Sequence, residues 1–519
     1  MTGEPRTPSP YAWAALSFLG GAAVMNGEIA AGRLLAPYLG TSTSTWAMLI
    51  GTVMGSLALG SLLGGWLSAR GSAERWVVRL MIASSVLFAL LPRGVPWLLA
   101  SSLERFRAGA AALATVAAVT GIAIALPMAS LGALPPLLLH AAGRPRGPDH
   151  AIQLGRLSGK LTAAGTVGSL VGTFGAGLLL LPWLGTRATF DAAAVVLSAG
   201  AAAFGFYAGE RREALVALAA TALAAVLATF PAREPAARHG RVLWSGESRH
   251  NHIAVVERGE ERQIRVNEGF AVQSFARLDG RLPVRDVWAY YALAPSFCTT
   301  ASPKNVLLLG LGGGTSAEVY RRLYPEAKIV GVELDAAIVE AGRRWLGLEL
   351  PGVEVVIDDA RTFVAAESRR APGRFDVVVL DAFQFPYVPF QLATAEFFAA
   401  VKSLLAPGGV LMVNAGRYGH ERAVVHALAR TLSSVFAHVA AADAPNRSNT
   451  LLVASDHDLA RAVGIEGLAT TAETKTVLRD LAFRHAPMRP AVWPASTPLL
   501  TDDHAPVEWL TDRIVWRAL

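Results

Sequence analysis

Long apolar runs recur through the first 230 residues of the chain, whereas the remainder alternates short apolar segments with polar ones. A helix needs about 20 apolar residues to cross a hydrocarbon core about 30 Å thick. The pattern therefore predicts an α-helical membrane domain of about seven transmembrane helices in residues 1–231. The predicted spans are about 11–32, 44–69, 76–99, 107–140, 160–183, 187–208 and 213–230.

The fourth run is too long for one straight crossing and contains Pro127, Pro135 and Pro136. Proline lacks a backbone donor and clashes with the preceding turn, so we expect this helix to kink or break there. Glycines four residues apart let two helix backbones approach each other, and they predict close packing without implying any chemistry. These glycine pairs are Gly51 with Gly55, Gly60 with Gly64, and Gly168 with Gly172.

Two charged residues lie near membrane depth in the first span, Glu28 and Arg33. An unpaired ion is costly there, so one interpretation is a polar site that faces the bundle interior. The other is that Arg33 extends to the interface while Glu28 is protonated or paired with it. The sequence leaves both interpretations open.

From residue 232 onward the composition is that of an ordinary globular protein. Residues 241–275 are rich in short strand-like segments separated by polar turns, which predicts a small β subdomain in residues 232–300. Strand and helix patterns then alternate through residues 301–519. This alternation is typical of a Rossmann-like α/β domain with a doubly wound parallel sheet.

Four features fall at the carboxyl ends of the predicted strands, where open α/β sheets bind their ligands. They are the glycine loop Gly310–Gly314, Glu333, the pair Asp358–Asp359, and Asp381, which ends the strand FDVVVLD. Glu333 follows Gly310 by 23 residues, a spacing at which an acid accepts hydrogen bonds from ribose hydroxyls. A single acid at a strand end is often only a helix cap. The four features together, in this order, predict a site for an adenosyl-sulfonium cofactor.

The composition of the chain excludes several classes of site and partner. The single cysteine, Cys298, excludes an internal disulfide framework and a multi-cysteine metal site, and no metal is expected. The net charge of +7 is scattered rather than gathered into a basic run, so nucleic acid is not an expected partner. Bilayer headgroups account for the excess of basic residues.

At these motifs the chain resembles the spermidine synthase (polyamine aminopropyltransferase) family over residues about 241–440. The resemblance implies a glycine run at Gly310, Gly312 and Gly314, in the segment GLGGGTSAEV. It also implies cofactor contacts and catalytic groups at single positions. These are the ribose acid Glu333, the adenine-contacting acid Asp359, the general base Asp381, the cofactor amide Asn251, the glutamine Gln273 and the acceptor-site tyrosine Tyr290. Asp358, which precedes Asp359, is a further candidate for cofactor binding.

The whole chain resembles the membrane-fused bacterial variant of this family, the major-facilitator/spermidine synthase fusion type. The segment GEIAAGRLLAP and the C-terminal segment LTDDHAPVE carry that likeness. Three departures concern the acceptor. Gly312 and Gln384 stand where diamine-binding members carry acids, and the family's His-Glu after the tyrosine is Tyr291-Ala292 here. A dicationic diamine needs carboxylates to replace lost water, so plain putrescine is not the expected acceptor.

The resemblance implies a transferase that uses decarboxylated S-adenosylmethionine, or S-adenosylmethionine itself, and releases methylthioadenosine. Asp381 would act as general base, and Gln384 would orient the acceptor. Two alternatives stay open. One is an S-adenosylmethionine lyase or a methyltransferase, and the other is a transporter or polyamine sensor that binds an adenosyl ligand without turnover.

The expected partners are the lipid bilayer and a small amine or other small acceptor, and a homodimer stays open. The predicted location is the inner (cytoplasmic) membrane. Counting basic loop residues gives eight on the N-terminal side and five on the other, which with seven spans would place the soluble half outside. Adenosyl cofactors are made in the cytosol, and we therefore expect the soluble domain to be cytoplasmic.

Overall fold

The computed structural model describes residues 8–39, 42–105, 110–143, 150–230, 235–266, 271–284, 286–382, 388–417, 421–445 and 448–518. The chain divides into two compact units between residues 233 and 234. The first unit is helical. Its helices are α1 (Pro10–Leu39), α2 (Thr43–Ser68), α3 (Ala73–Arg105), α4 (Ala110–Gly132), α5 (Leu134–Ala142), α6 (His150–Phe174), α7 (Leu181–Tyr207) and α8 (Arg211–Thr229).

In the described part of the first unit, six helical stretches are long and apolar enough to cross a membrane. The sequence predicts about seven, and the difference lies in residues 152–207, which form one stretch of 56 residues. A π-helical turn, Gly175–Leu180, joins α6 to α7 without interruption. Gly185 inside α7 has φ 79° and ψ 173°, so the path is bent there. The prediction divides this stretch into two spans, 160–183 and 187–208.

Within this long stretch, α6 and α7 pack against α1 in opposite directions. In α6, an added Cβ on Gly172 would lie 2.3 Å from the Ala22 carbonyl oxygen. In α7, Phe204 packs on Trp13 with ring centroids 5.0 Å apart. Later residues of the stretch therefore contact earlier residues of α1, as expected for a helical hairpin.

Proline and glycine act in the first unit largely as predicted. The fourth run breaks between α4 and α5, where Pro135 and Pro136 begin the new helix. An added Cβ on Gly60 or Gly168 would lie 2.1 Å from a backbone oxygen of a neighbouring helix, so these positions pack closely. Within the described residues the prediction is wrong for Gly51 and Gly55, because an added Cβ on either would have no neighbouring atom within 4 Å.

The second unit contains two sheets. Its strands are β1 (Arg241–Glu247), β2 (His252–Arg258), β3 (Glu261–Val266), β4 (Ala271–Arg277), β5 (Asn305–Leu309), β6 (Lys328–Glu333), β7 (Val353–Ile357), β8 (Phe375–Leu380), β9 (Leu405–Gly416), β10 (His438–Asp443), β11 (Asn449–Ser455) and β12 (Arg489–Pro490). Its helices are α9 (Val287–Tyr290), α10 (Thr315–Leu323), α11 (Ala336–Ala341), α12 (Ala360–Arg370), α13 (Ala395–Leu404), α14 (Ala423–Ser433), α15 (Gly464–Gly467), α16 (Ala472–Arg484) and α17 (Val507–Ala518).

The first four strands form an antiparallel sheet in the order β1-β2-β3-β4. The larger sheet has the order β12-β10-β11-β9-β8-β5-β6-β7. Its β7, β6, β5, β8 and β9 are parallel, whereas β11, β10 and β12 pair antiparallel. The predicted parallel sheet thus covers these five strands, and three antiparallel strands extend it at one edge. A short connection joins β10 to β11, and only an antiparallel pair can form across such a turn.

The inner parallel strands β5, β6 and β8 are buried on both faces, which their continuous apolar runs predict. Leu307 and Leu309 of β5 pack with Phe397 in one apolar layer. Val306 and Leu308, which alternate with them, pack in the other layer with Tyr291 and Tyr320. This two-sided burial fixes the carboxyl ends of β5, β6 and β8 in register, and the candidate site lies there.

Candidate functional site

The glycine loop that follows β5 has a backbone that favours glycine. Gly310, Gly312 and Gly314 have φ values of 93°, 58° and 97°, in the left-handed region. An added Cβ on Gly310 would lie 2.3 Å from the carbonyl oxygen of Asp381. The backbone N–H of Asp381 in turn donates a hydrogen bond to the carbonyl oxygen of Leu309, at 2.8 Å. The loop is thus held directly against the end of β8.

Glu333 ends β6 and supports the same loop. One carboxylate oxygen accepts the Gly312 N–H at 2.8 Å, and the other accepts the Asp335 N–H at 3.1 Å. The residue is 8% exposed, and burial raises the pKa of its carboxyl group. Each carboxylate oxygen can accept a further hydrogen bond, so the group keeps acceptor capacity.

Strand β4 of the small sheet closes over the glycine loop. Ser274 Oγ accepts the Gly313 N–H at 2.7 Å. The Thr315 hydroxyl both donates to and accepts from the backbone of Phe275, at 2.8 Å each. An added Cβ on Gly312 would lie 3.8 Å from Gln273 Cγ. The predicted Gln273 therefore lies at this loop, and Ser274 is a contact that the sequence does not reveal.

Asn251 lies in the turn between β1 and β2 and holds the segment that follows Glu333. Its Nδ2 donates to Asp335 Oδ2 at 3.0 Å, and Ser248 Oγ donates to the same oxygen at 2.6 Å. Asp335 caps α11 through its other oxygen, which accepts the Ala337 N–H at 3.0 Å. A cofactor contact by Asn251 stays a prediction.

Asp358 and Asp359 lie at the end of β7, beside the end of β6. The Asp358 N–H donates to the Glu333 carbonyl at 3.1 Å. Asp359 caps α12, with its Oδ1 accepting the Arg361 N–H at 2.8 Å. Leu334 and Ile357, next to these acids, are each 48% exposed. The strand ends therefore present acids together with accessible apolar side chains, and cofactor contact by the two aspartates stays a prediction.

Asp381 has uncharged polar neighbours. Asn414 Nδ2 donates to its Oδ1 at 2.8 Å. The Tyr291 hydroxyl is buried next to the carboxylate but forms no hydrogen bond of normal geometry within the described residues. Burial raises the pKa of Asp381 to about 6, with Glu333 adding to the rise and Asn414 and Tyr291 opposing it. A carboxylate with this pKa is a better proton acceptor near neutral pH than one in water.

The tyrosine next to the Asp381 carboxylate is Tyr291, and the predicted acceptor-site residue Tyr290 has a different neighbour. Tyr290 is buried against the ring of His485, with centroids 5.9 Å apart. Tyr291, the next residue, has a pKa raised well above its ordinary value by burial and by the Asp381 carboxylate. Gln384 lies outside the described residues, as do the neighbouring aromatic residues at 383, 385 and 387. Roles for Tyr290 and Gln384 stay predictions.

Tyr291 and Asn414 are the neighbours of Asp381 that sequence reasoning missed as site residues. Tyr291 was visible only as a departure from the family's His. Asn414 is the residue after the buried strand segment GVLMV, and a polar residue at that strand end was the available signal. The glycine loop, Gln273, Glu333 and Asp381 are brought together as their order along the chain suggests.

The larger sheet, its glycine loop and its strand-end acids define a Rossmann-like α/β domain, next to a small antiparallel sheet. Residues 294–450 match the family model described as the spermine/spermidine synthase domain. The match is confined to this part of the second unit, and the N-terminal region that lies outside it contains long apolar helices.

The similar proteins carry polyamine names. A probable polyamine aminopropyl transferase of Bifidobacterium longum is 30% identical over 285 residues, covering 52% of this chain and 62% of the relative. A polyamine aminopropyltransferase of Mycobacterium tuberculosis is 28% identical over 319 residues, covering 57% and 58%. The chain thus spans about three fifths of the length of these curated relatives.

A crystal structure of a probable spermidine synthase from Corynebacterium glutamicum is also similar. It is 21% identical with a TM-score of 0.41, covering 51% of this chain and 96% of that one. A likeness at this level says nothing about the chemistry of the chain.

Proposed function

We propose that this protein is a membrane-anchored, spermidine-synthase-like transferase that uses decarboxylated S-adenosylmethionine and releases methylthioadenosine. The observation that carries the proposal is the contact between the glycine loop and Asp381. It sets a carboxylate of raised pKa beside a loop that only glycine fits, with Glu333 on the loop's other side. The name of the matched domain and the names of the relatives support the same reaction class.

The residues fit an adenosyl ligand. Glu333 keeps acceptor capacity for ribose hydroxyls, and the missing Cβ of Gly312 lets the loop pack closely against Gln273 and Ser274. Leu334 and Ile357 offer accessible apolar surface for a purine, with Asp358 and Asp359 nearby. We assign cofactor binding to this set together with Asn251, Gly310 and Gly314.

Bound there, decarboxylated S-adenosylmethionine would supply a sulfonium-activated carbon, which an amine attacks as the carbon–sulfur bond breaks and methylthioadenosine leaves. Asp381 takes the proton that the amine loses. Partial desolvation strengthens it as a base, and the Asn414 hydrogen bond keeps it oriented. Tyr291 bounds the same carboxylate on the side of the helical segment 291–297.

The acceptor we propose carries one positive charge near Asp381 rather than the two of putrescine. Gly312 and Gln384 replace the acids expected for a diamine. Asn414 and Tyr291 are also uncharged, so they can orient a group by hydrogen bonds but cannot neutralise a second ammonium. The same deficit favours the alternative of a lyase, because an internal reaction needs no acceptor acids.

For the soluble domain we propose a cytoplasmic location, on the inner membrane, with residues 1–231 as the membrane domain and 232–300 and 301–519 as the two soluble parts. Cys298 is fully buried, so it should not react with impermeant reagents in the folded protein. A second cysteine engineered at the C-terminus can then be labelled in intact cells. Protection from an impermeant reagent supports the cytoplasmic location, and labelling contradicts it.

Product analysis of the purified full chain tests the reaction. Methylthioadenosine formed from the decarboxylated cofactor only with an amine supports aminopropyl transfer. Methylthioadenosine from the intact cofactor without amine supports the lyase, and S-adenosylhomocysteine supports methyl transfer. Binding without any product would favour a sensor or transporter. Asp381→Asn should abolish turnover while sparing adenosyl binding, and full activity in that variant would remove Asp381 as the base.

A further inference from the structure

Two asparagines form a hydrogen-bonded chain behind the carboxylate of Asp381. Asn414 Nδ2 donates to Asp381 Oδ1 at 2.8 Å, and Asn449 Nδ2 donates to Asn414 Oδ1 at 2.8 Å. An ionised carboxylate only accepts hydrogen bonds, so Asn414 must turn its NH₂ group toward Asp381. Its amide oxygen then faces Asn449, which must donate. The negative charge of Asp381 therefore fixes the orientation of both side-chain amides.

We propose that Asn449 is a positioning residue that holds the Asn414 amide and, through it, the catalytic carboxylate of Asp381. With Oδ1 held by Asn414, Oδ2 is left as the atom that accepts the proton of the acceptor amine. Within the described residues, no other hydrogen bond of normal geometry reaches this carboxylate. The inference rests on the proposed function for the identity of the reaction. The hydrogen bonds from Asn449 to Asn414 and from Asn414 to Asp381 do not depend on that function.

The strand geometry explains why Asn449 can perform this task. Strands β9 and β11 are antiparallel neighbours, and Asn414 lies opposite Leu451, two residues from Asn449. Residues two apart on a strand face the same side, so Asn449 lies diagonally across from Asn414 on one face of the sheet. The Asn449 carbonyl also accepts Arg417 Nε, at 3.3 Å. A donor mounted on a paired strand orients its neighbour better than a loop residue would.

Without Asn449, the Asn414 amide can rotate and present its oxygen to the carboxylate, which repels it. Two other titratable groups face Asp381, Tyr291 from the helical segment 291–297 and Glu333 from β6. Glu333 raises the pKa of Asp381, whereas the hydrogen bond from Asn414 lowers it. Loss of the ordered donor should therefore raise the pKa of Asp381 further.

The test is a pH titration of Asp381 in the full-length chain in lipid, by infrared difference spectroscopy. The signal is the protonated carboxyl band that disappears in Asp381→Asn. Asn414→Leu should raise the titration midpoint by about one pH unit, because it removes a hydrogen bond to a charged group. Asn449→Leu should raise it by about half a unit, since Asn414 keeps part of its donation. The acid limb of the pH–rate profile should shift in the same direction.

Thr450→Val is the matched control. Thr450 is the next residue of β11, is buried, and donates to Asp443 at 2.8 Å, so its loss removes a hydrogen bond without touching Asn414. Its midpoint should equal that of the unaltered chain. An unchanged midpoint in Asn449→Leu, or an equal shift in Thr450→Val, would overturn the positioning role. Absence of turnover in the unaltered chain would count against the proposed function alone, because the band titrates without substrate.

Discussion

Replacing Asp381 by Asn should stabilise the second unit while it abolishes the proposed activity. Burial raises the pKa of this carboxyl from an ordinary 3.8 to about 6, so the folded state disfavours the ionised form. Asparagine has nearly the same shape, carries no charge and retains an oxygen that can accept from Asn414. The substitution removes the unfavourable charge and keeps the packing.

The magnitude follows from the two pKa values. A difference of about two pH units between folded and unfolded states corresponds to about 3 kcal/mol above pH 6. Because part of the residue surface is accessible, we expect about 1 to 3 kcal/mol. For a unit of this size, 1 kcal/mol shifts Tm by about 2 °C, so Tm should rise by about 2 to 6 °C at pH 8.

The sign depends on pH in a defined way. Between pH 6 and pH 3.8 the folded state binds more protons at this site than the unfolded state, so the original chain gains stability as the pH falls. The advantage of Asp381→Asn should therefore be full above pH 6, shrink as the pH falls below 6, and disappear below about pH 4.

The assay is thermal unfolding of the full chain in detergent, followed at several pH values. Asp376→Asn is the control, since Asp376 lies at the opposite end of the same strand. Its carboxylate accepts two backbone N–H groups, from Lys304 at 2.8 Å and Asn305 at 3.0 Å. That variant should not gain stability. An Asp381→Asn variant that is no more stable than the original at pH 8, or whose advantage grows on acidification, would refute the reasoning.

Three further predictions concern glycines and one acid. Gly310→Ala should lower the free energy of unfolding by at least about 2 kcal/mol, because its Cβ would lie 2.3 Å from the carbonyl oxygen of Asp381. Gly347 also has a positive φ, 75°, but an added Cβ there would meet open space, so Gly347→Ala should lower it by only about 1 kcal/mol. Gly168→Val should lower Tm strongly, since an added Cβ would meet an α1 carbonyl at 2.1 Å, while Gly51→Val should be tolerated; equal effects would contradict the packing. Glu333→Gln should weaken methylthioadenosine binding about ten- to a hundredfold in equilibrium dialysis, and unchanged binding would exclude the ribose role.

Local signals were sufficient for most of the soluble fold. Strand β7 occupies residues 353–357, inside the region where the sequence predicts alternating strands and helices, because a short apolar segment between polar turns has few alternatives. Helix α11 begins at Ala336 but becomes a π-helical turn at Gly342. There an added Cβ would lie 2.7 Å from the Gly313 carbonyl oxygen, a tertiary contact that no local pattern reports.

The surroundings of Asp381 were less predictable. Tyr290 and Tyr291 are adjacent and alike in the sequence, and the choice between them depends on where α9 ends and the next helical turn begins. Asn414 and Asn449 are 35 residues apart and meet only through the antiparallel pairing of β9 with β11. Sequence order alone offers no measure of that pairing.

The sequence by itself determined the two-part organisation of long apolar helices followed by alternating strands and helices, and the position of Gly310, Glu333 and Asp381 at strand ends. The hydrophobic period and the composition of a segment are local properties, so one sequence is enough to recognise them. Only the tertiary structure decided which uncharged groups surround Asp381, since the register of neighbouring strands and the phase of one short helix bring them there. Burial raises the pKa of Asp381, and those contacts oppose the rise.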